Sequence, residues 1–78
     1  MNAKQLLAHI ESGARLRTRW SYGQRFNKLT LISGESLDVQ YSNIAALLKK
    51  GTLYSLNVDV EGVYYYLPGQ HWSEAFKK

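Results

Sequence analysis

The stretch Arg15-Leu16-Arg17-Thr18-Arg19-Trp20-Ser21-Tyr22 alternates with a period of two. Successive side chains of a strand point to opposite sides, so Leu16, Thr18, Trp20 and Tyr22 share one face and Arg15, Arg17, Arg19 and Ser21 the other. Gly23-Gln24 follows as a tight turn, and a second strand is expected over about Phe26–Ile32, which together make a β-hairpin. Ser33-Gly34 marks another turn, after which Glu35–Val39 supplies material for a third, short strand.

Outward from this hairpin the period changes to that of a helix. On the N-terminal side, Leu6, Leu7 and Ile10 recur at helical spacing, while Lys4, Gln5, His9 and Glu11 face the other way. Asn2 and Gln5 stand three apart as a capping box, and Ser12-Gly13 closes the helix. On the C-terminal side, a second helix is expected over about Tyr41–Lys50, with Tyr41, Ile44, Leu47 and Leu48 as its apolar face. Either Gln40 or Ser42 starts it; Lys49 and Lys50 complement the negative end of its dipole, and Gly51 ends it. Two strands follow, about Thr52–Val58 and Val63–Leu67, around a turn at Asp59–Gly62, and Pro68-Gly69 stops the sheet. Residues 70–78 are either a loose tail or one helical turn that docks Trp72 and Phe76. The order α-β-β-(β)-α-β-β, joined throughout by short connections, predicts an α+β fold with an antiparallel sheet.

A chain of 78 residues has room for a single domain, taken as residues 1–78. With 45% hydrophobic residues it is too apolar for intrinsic disorder, and no apolar run reaches the length of a membrane span. The absence of cysteine removes disulfides and thiolate metal sites and suits a reducing, cytoplasmic setting. The net charge of +4 is concentrated. Arg15, Arg17, Arg19, Arg25 and Lys28 occupy residues 15–28 without one acidic residue, which leaves five bases and six acids for the remainder.

Little in the chain points to catalysis. His9 and His71 lie far apart and outside any ligand spacing, and His9 is expected on the solvent face of its helix. No nucleophile elbow, phosphate-binding glycine loop or paired carboxylates are present, so a non-enzymatic protein without cofactor or metal is expected. The basic hairpin instead suits binding. Arginine forks match phosphate oxygens, and the nearby Trp20, Tyr22 and Phe26 either stack on bases or line the core face of the hairpin. Among the three consecutive tyrosines, alternation sends Tyr65 inward with Val63 and Leu67, and leaves Tyr64 and Tyr66 for a partner.

Over Val39–Leu67 the sequence carries a helix ending Ala46-Leu47-Leu48-Lys49-Lys50-Gly51-Thr52-Leu53, then two strands ending Val63-Tyr64-Tyr65-Tyr66-Leu67. This segment resembles the second half of the winged-helix domains of small bacterial and phage proteins. The resemblance implies a recognition helix that offers Gln40, Asn43, Ala46, Lys49 and Lys50 to DNA, with the Asp59–Gly62 turn as the wing. The leading expectation is a nucleic-acid-binding module that works through the arginine-rich hairpin. The alternative is a phage or mobile-element inhibitor or adaptor, similar to anti-CRISPR proteins, whose Arg/Tyr surface docks on a host protein or nucleoprotein complex. A small RNase is the third reading, and a homodimer through an open sheet edge is compatible with all three.

Overall fold

Asn2 starts helix α1 (Ala3–Glu11) as the spacing predicts: the Gln5 N–H donates to Asn2 Oδ1 at 2.8 Å, and the Asn2 N–H donates to Gln5 Oε1 at 2.9 Å. Two backbone donors that the helix itself leaves without acceptors are thereby satisfied. The helix ends at Ser12, and Gly13 takes the left-handed conformation (φ 109°) that turns the chain into the sheet. The computed structural model describes residues 1–59 and 62–71, so both alternatives for the tail, loose or a helical turn that docks Trp72 and Phe76, fall on residues outside those described.

Five strands form one antiparallel sheet among the described residues: β1 (Arg15–Ser21), β2 (Gln24–Thr30), β3 (Ser36–Asp38), β4 (Tyr54–Asp59) and β5 (Gly62–Tyr66). Their spatial order is β3-β2-β1-β5-β4, which puts the arginine-bearing β1 at the centre. The turn between β1 and β2 sits one residue earlier than expected. Ser21 pairs with Gln24, so Tyr22 and Gly23 form the two-residue loop, with φ of 52° and 75°. Positive φ at both positions is what the right-handed twist of a hairpin demands of so short a loop. Strand β2 also ends earlier than expected, at Thr30, because Leu31 turns: its N–H donates to the Glu35 carbonyl at 2.8 Å and its carbonyl accepts from Gly34 at 2.9 Å. Helix α2 (Tyr41–Lys50) begins after Gln40, without a side-chain cap, and closes on Gly51 in the left-handed conformation.

Both helices lie on one face of the sheet. Leu6 and Ile10 from α1 and Ile44 and Leu47 from α2 share a single core with Leu16, Leu29, Leu53 and Tyr65 from the sheet side. Leu6, Leu29 and Ile44 are fully buried, and each such side chain stabilises the fold by about 2 kcal/mol through its removal from water. His9 departs from expectation. It is half-buried rather than solvent-exposed, and its carbonyl accepts from the Ser12 and Ala14 N–H groups where the chain turns at the helix end.

Thr18 is the single buried polar side chain among the described residues, at 1% exposure. Its hydroxyl donates to Asn27 Oδ1 at 2.7 Å and lies 2.8 Å from the Tyr65 hydroxyl. A hydroxyl has one proton, so Tyr65 must be the donor to Thr18. Asn27 Nδ2 then donates to the Val39 carbonyl at 3.2 Å, which fixes the orientation of the amide. This relay runs one way, from β5 through β1 and β2 to the entry of α2. Burial raises the Tyr65 hydroxyl above its ordinary pKa of 10.0.

Candidate functional site

The pairing register assigns the residues of β1, β2, β3 and β5, and Tyr54 to Leu56 of β4, to a face. Leu16 opposes Leu29, Thr18 opposes Asn27 and Val63, and Ser55 opposes Tyr65, all on the helix side. The residues between them make the other side, against which no described element packs. There Arg17 sits between Lys28 and Tyr64, Arg19 between Phe26 and Gly62, and Arg15 opposite Thr30. Tyr64 opposes Leu56, and Tyr66 opposes Tyr54 at the β4 edge. At the other edge Asp38 opposes Lys28.

The side chains on this face are held by one another. An Arg17 Nη donates to the Tyr64 hydroxyl at 3.0 Å, and the guanidinium carbon lies 5.2 Å from the centre of the same ring. Anchored through one of its five N–H donors, Arg17 keeps a fixed fork pointed away from the core. The Tyr54 and Tyr66 rings meet edge to face, 5.6 Å apart at 73°. Arg19 and Lys28 are exposed, as are Phe26 at 44% and Tyr54 at 46%; Arg15, Arg17, Tyr64 and Tyr66 are half-buried. The Arg17–Lys28 pair is the informative one. Arg17 and Lys28 are like charges directly opposite each other, a destabilising arrangement that Asp38, opposite Lys28 on its other side, counters.

Gly62 brings this face together at its most crowded point. A Cβ there would lie 2.8 Å from the Thr18 carbonyl oxygen, closer than any side chain can be accommodated. The missing side chain lets β5 lie against β1 beside Arg19. The register between β4 and β5 also shifts between Asn57 and Asp59, which bends the sheet at the same end.

Arg25 does not join the other four bases. Trp20 pairs with Arg25 across the hairpin, so both lie on the helix side, and Arg25 stacks on Tyr41 at 4.1 Å with Trp20 at 5.8 Å. These three rim a groove of about 260 Å³ with Thr18, Val63 and Tyr65 beneath. The three hairpin aromatics also divide. Phe26 lies on the arginine face, Trp20 lies on the helix side yet remains 45% exposed beyond the helices, and Tyr22 stands fully exposed in the turn.

The positions expected on α2 lie in the helix layer, behind the sheet. Asn43 is half-buried, with Nδ2 donating to the Met1 carbonyl at 2.9 Å, so it ties the N-terminus down. Ala46 is half-buried, and Gln40, Lys49 and Lys50 are exposed, the two lysines beside the last carbonyls of the helix. Of the Asp59–Gly62 turn, residues 60 and 61 lie outside the described residues. Tyr54 is not among the residues that the sequence singles out for a partner, although Tyr66 is; a strand register is needed to pair them.

Among the described residues, no group of three or more His, Asp or Glu side chains could hold a metal ion, and no helix is long and apolar enough to cross a membrane. The chain matches no protein-family model, and neither its sequence among curated proteins nor its fold among solved structures finds a match.

Proposed function

We propose that this protein is a non-enzymatic binding module that holds nucleic acid against the arginine face of its sheet. The observation that carries the reading is the facing pair of Arg17 and Lys28, with Arg19 and Arg15 alongside on the same strand. Four cations share this face with Asp38, which opposes Lys28, and phosphates between them would relieve the mutual repulsion of the arginines and the lysine. Arginine forks take phosphate oxygens two at a time, and Lys28 adds a point charge. Counterions released from the nucleic acid then supply much of the affinity, which makes binding strongly salt-dependent. A chain without cysteine suits the reducing cytoplasm in which such a partner is found.

The test is a fluorescence-anisotropy titration of labelled DNA and RNA, single-stranded and duplex, at two salt concentrations. Binding that weakens steeply with salt, and that weakens further in R17Q and R19Q, is the expected result. No binding to any of these at low salt would overturn the reading.

A further inference from the structure

We infer that the arginine face selects single strands, whose unpaired bases stack on Phe26 and Tyr54 while their phosphates lie along Arg17, Arg19 and Lys28. This rests on the nucleic-acid reading above and goes beyond it, since phosphate contacts alone would hold duplex equally well. Three observations carry it. The first is shape: the cations stand on a broad sheet face rather than on a projecting helix or ribbon, the elements that a major groove admits. A duplex laid on such a face touches it only through phosphates.

The second is the pairing of ring and charge. Phe26 is directly opposite Arg19 and two residues from Lys28, on the same face as both, and it has 44% of its surface open to solvent. An apolar ring placed among cations on an exposed sheet works against solubility, and a stacked base would cover it. Every base has a π-face, so the contact needs no particular sequence.

The third is spacing. Tyr54 is the matching exposed ring at the opposite end of the face, at 46%, propped edge-on by Tyr66. From β2 to β4 the sheet crosses three strand intervals, and the Tyr54–Tyr66 pair lies four residues along β5 from Gly62, the position beside Arg19. With strands about 4.8 Å apart and about 3.3 Å per residue, the two rings are separated by roughly 19 Å along a diagonal. Arg17 lies near the middle of that diagonal, with its fork already fixed by Tyr64, and Arg19 stands beside Phe26 at one end. The arrangement is a backbone track with a stacking platform at each end. A single strand can meet all of it at once, whereas the bases of a duplex are stacked on each other and unavailable.

Titrations of an oligothymidylate about eight nucleotides long, against a duplex offering a comparable number of phosphates at the same salt, test this directly. The wild-type protein should prefer the single strand. F26A and Y54A should each weaken single-strand binding by about tenfold and leave duplex binding within about twofold, while Y54F, which keeps the ring, should behave as wild type. R19Q should weaken both ligands, and circular dichroism verifies that each variant is folded. If R19Q weakens both ligands but the ring variants change neither, or change both alike, single-strand selection is overturned and the phosphate-binding reading stands. If the protein binds neither ligand at low salt, both fall.

Discussion

The two faces of strand β1 differ by one residue of register and by almost everything else. On the helix side Leu16 and Thr18 are buried and fully partnered; on the other, a half-buried Arg17 faces Lys28, and an exposed Arg19 faces Phe26. The helix-side residues follow from the requirements of folding: apolar contact, or a hydrogen bond for every buried polar group. On the other face the Arg17–Tyr64 and Tyr54–Tyr66 contacts serve the fold, but the exposed Arg19 and Phe26 do not follow from it. A sheet selected for stability alone would oppose its arginines with glutamates, as it would gain from the pairing. The contrast separates the residues that hold this protein together from those on which the proposed binding rests.

The largest effect expected is on the core side of that division. Leu29→Ala should cost about 3 kcal/mol in urea-induced unfolding, because Leu29 is fully buried between the helices and the sheet. Its neighbour on the chain, Lys28, should respond far less. Lys28→Ala should change stability by no more than about 0.5 kcal/mol, because relief of repulsion from Arg17 is set against lost attraction to Asp38 and lost contacts of the lysine stem. A large loss at Lys28 would break the comparison. Gly62→Ala comes next, at about 2 kcal/mol, since the new methyl group must push β5 away from the Thr18 carbonyl. It belongs to the helix-side class by its energetics although it borders the arginine face, and the same unfolding measurement places it.

Alternation was legible in the residues themselves. It put Leu16 and Thr18 inside and three arginines outside, and it sorted the three consecutive tyrosines correctly, with Tyr65 buried at 6% exposure and Tyr64 and Tyr66 on the outer side. The capping box, both helices and the glycine stops were legible for the same reason: each depends on residues within a few positions of one another. Whatever depends on strands distant in sequence was not. Five bases within fourteen residues look like one patch, yet the cross-strand pairing of Trp20 with Arg25 carries one of them through to the helix side. Phe26 was ambiguous between core and surface until the register put it opposite Arg19. The tyrosines of the candidate site, Tyr64, Tyr66 and Tyr54, reach the hairpin only because β5 pairs with β1 across more than forty residues, a contact no local pattern encodes.

The relay beneath Thr18 sharpens the comparison at a finer scale. Thr18→Val leaves both the Tyr65 hydroxyl and Asn27 Oδ1 without their partner and should cost about 2 kcal/mol. Tyr65→Phe removes only the first donor in the chain, because Thr18 still donates to Asn27, and should cost about 1 kcal/mol. The two also differ in their pH dependence. The native Tyr65 pKa is raised by burial, so above 10.0 the unfolded chain releases this proton while the folded chain retains it. Stability from this group is therefore complete below 10.0 and declines as the pH rises through the native value. Urea midpoints compared across that range should fall more steeply for the wild type than for Tyr65→Phe. Equal slopes would mean that Tyr65 is not the group responsible.

The smallest effect expected is the most discriminating for function. If the arginine face binds nucleic acid, each cation that meets a phosphate contributes to the slope of log affinity against log salt, about 0.7 per phosphate for a single strand and about 0.9 for duplex. Arg19→Gln should lower that slope by roughly this amount. Arg25→Gln removes the same charge from the same hairpin, but from the side where it stacks on Tyr41, and should leave the slope unchanged. The pair of variants has equal net charge, so any general electrostatic attraction falls equally in both. Only a face-specific contact separates them. Equal loss of slope in the two would mean that net charge, rather than the register that divides the hairpin into two faces, governs binding.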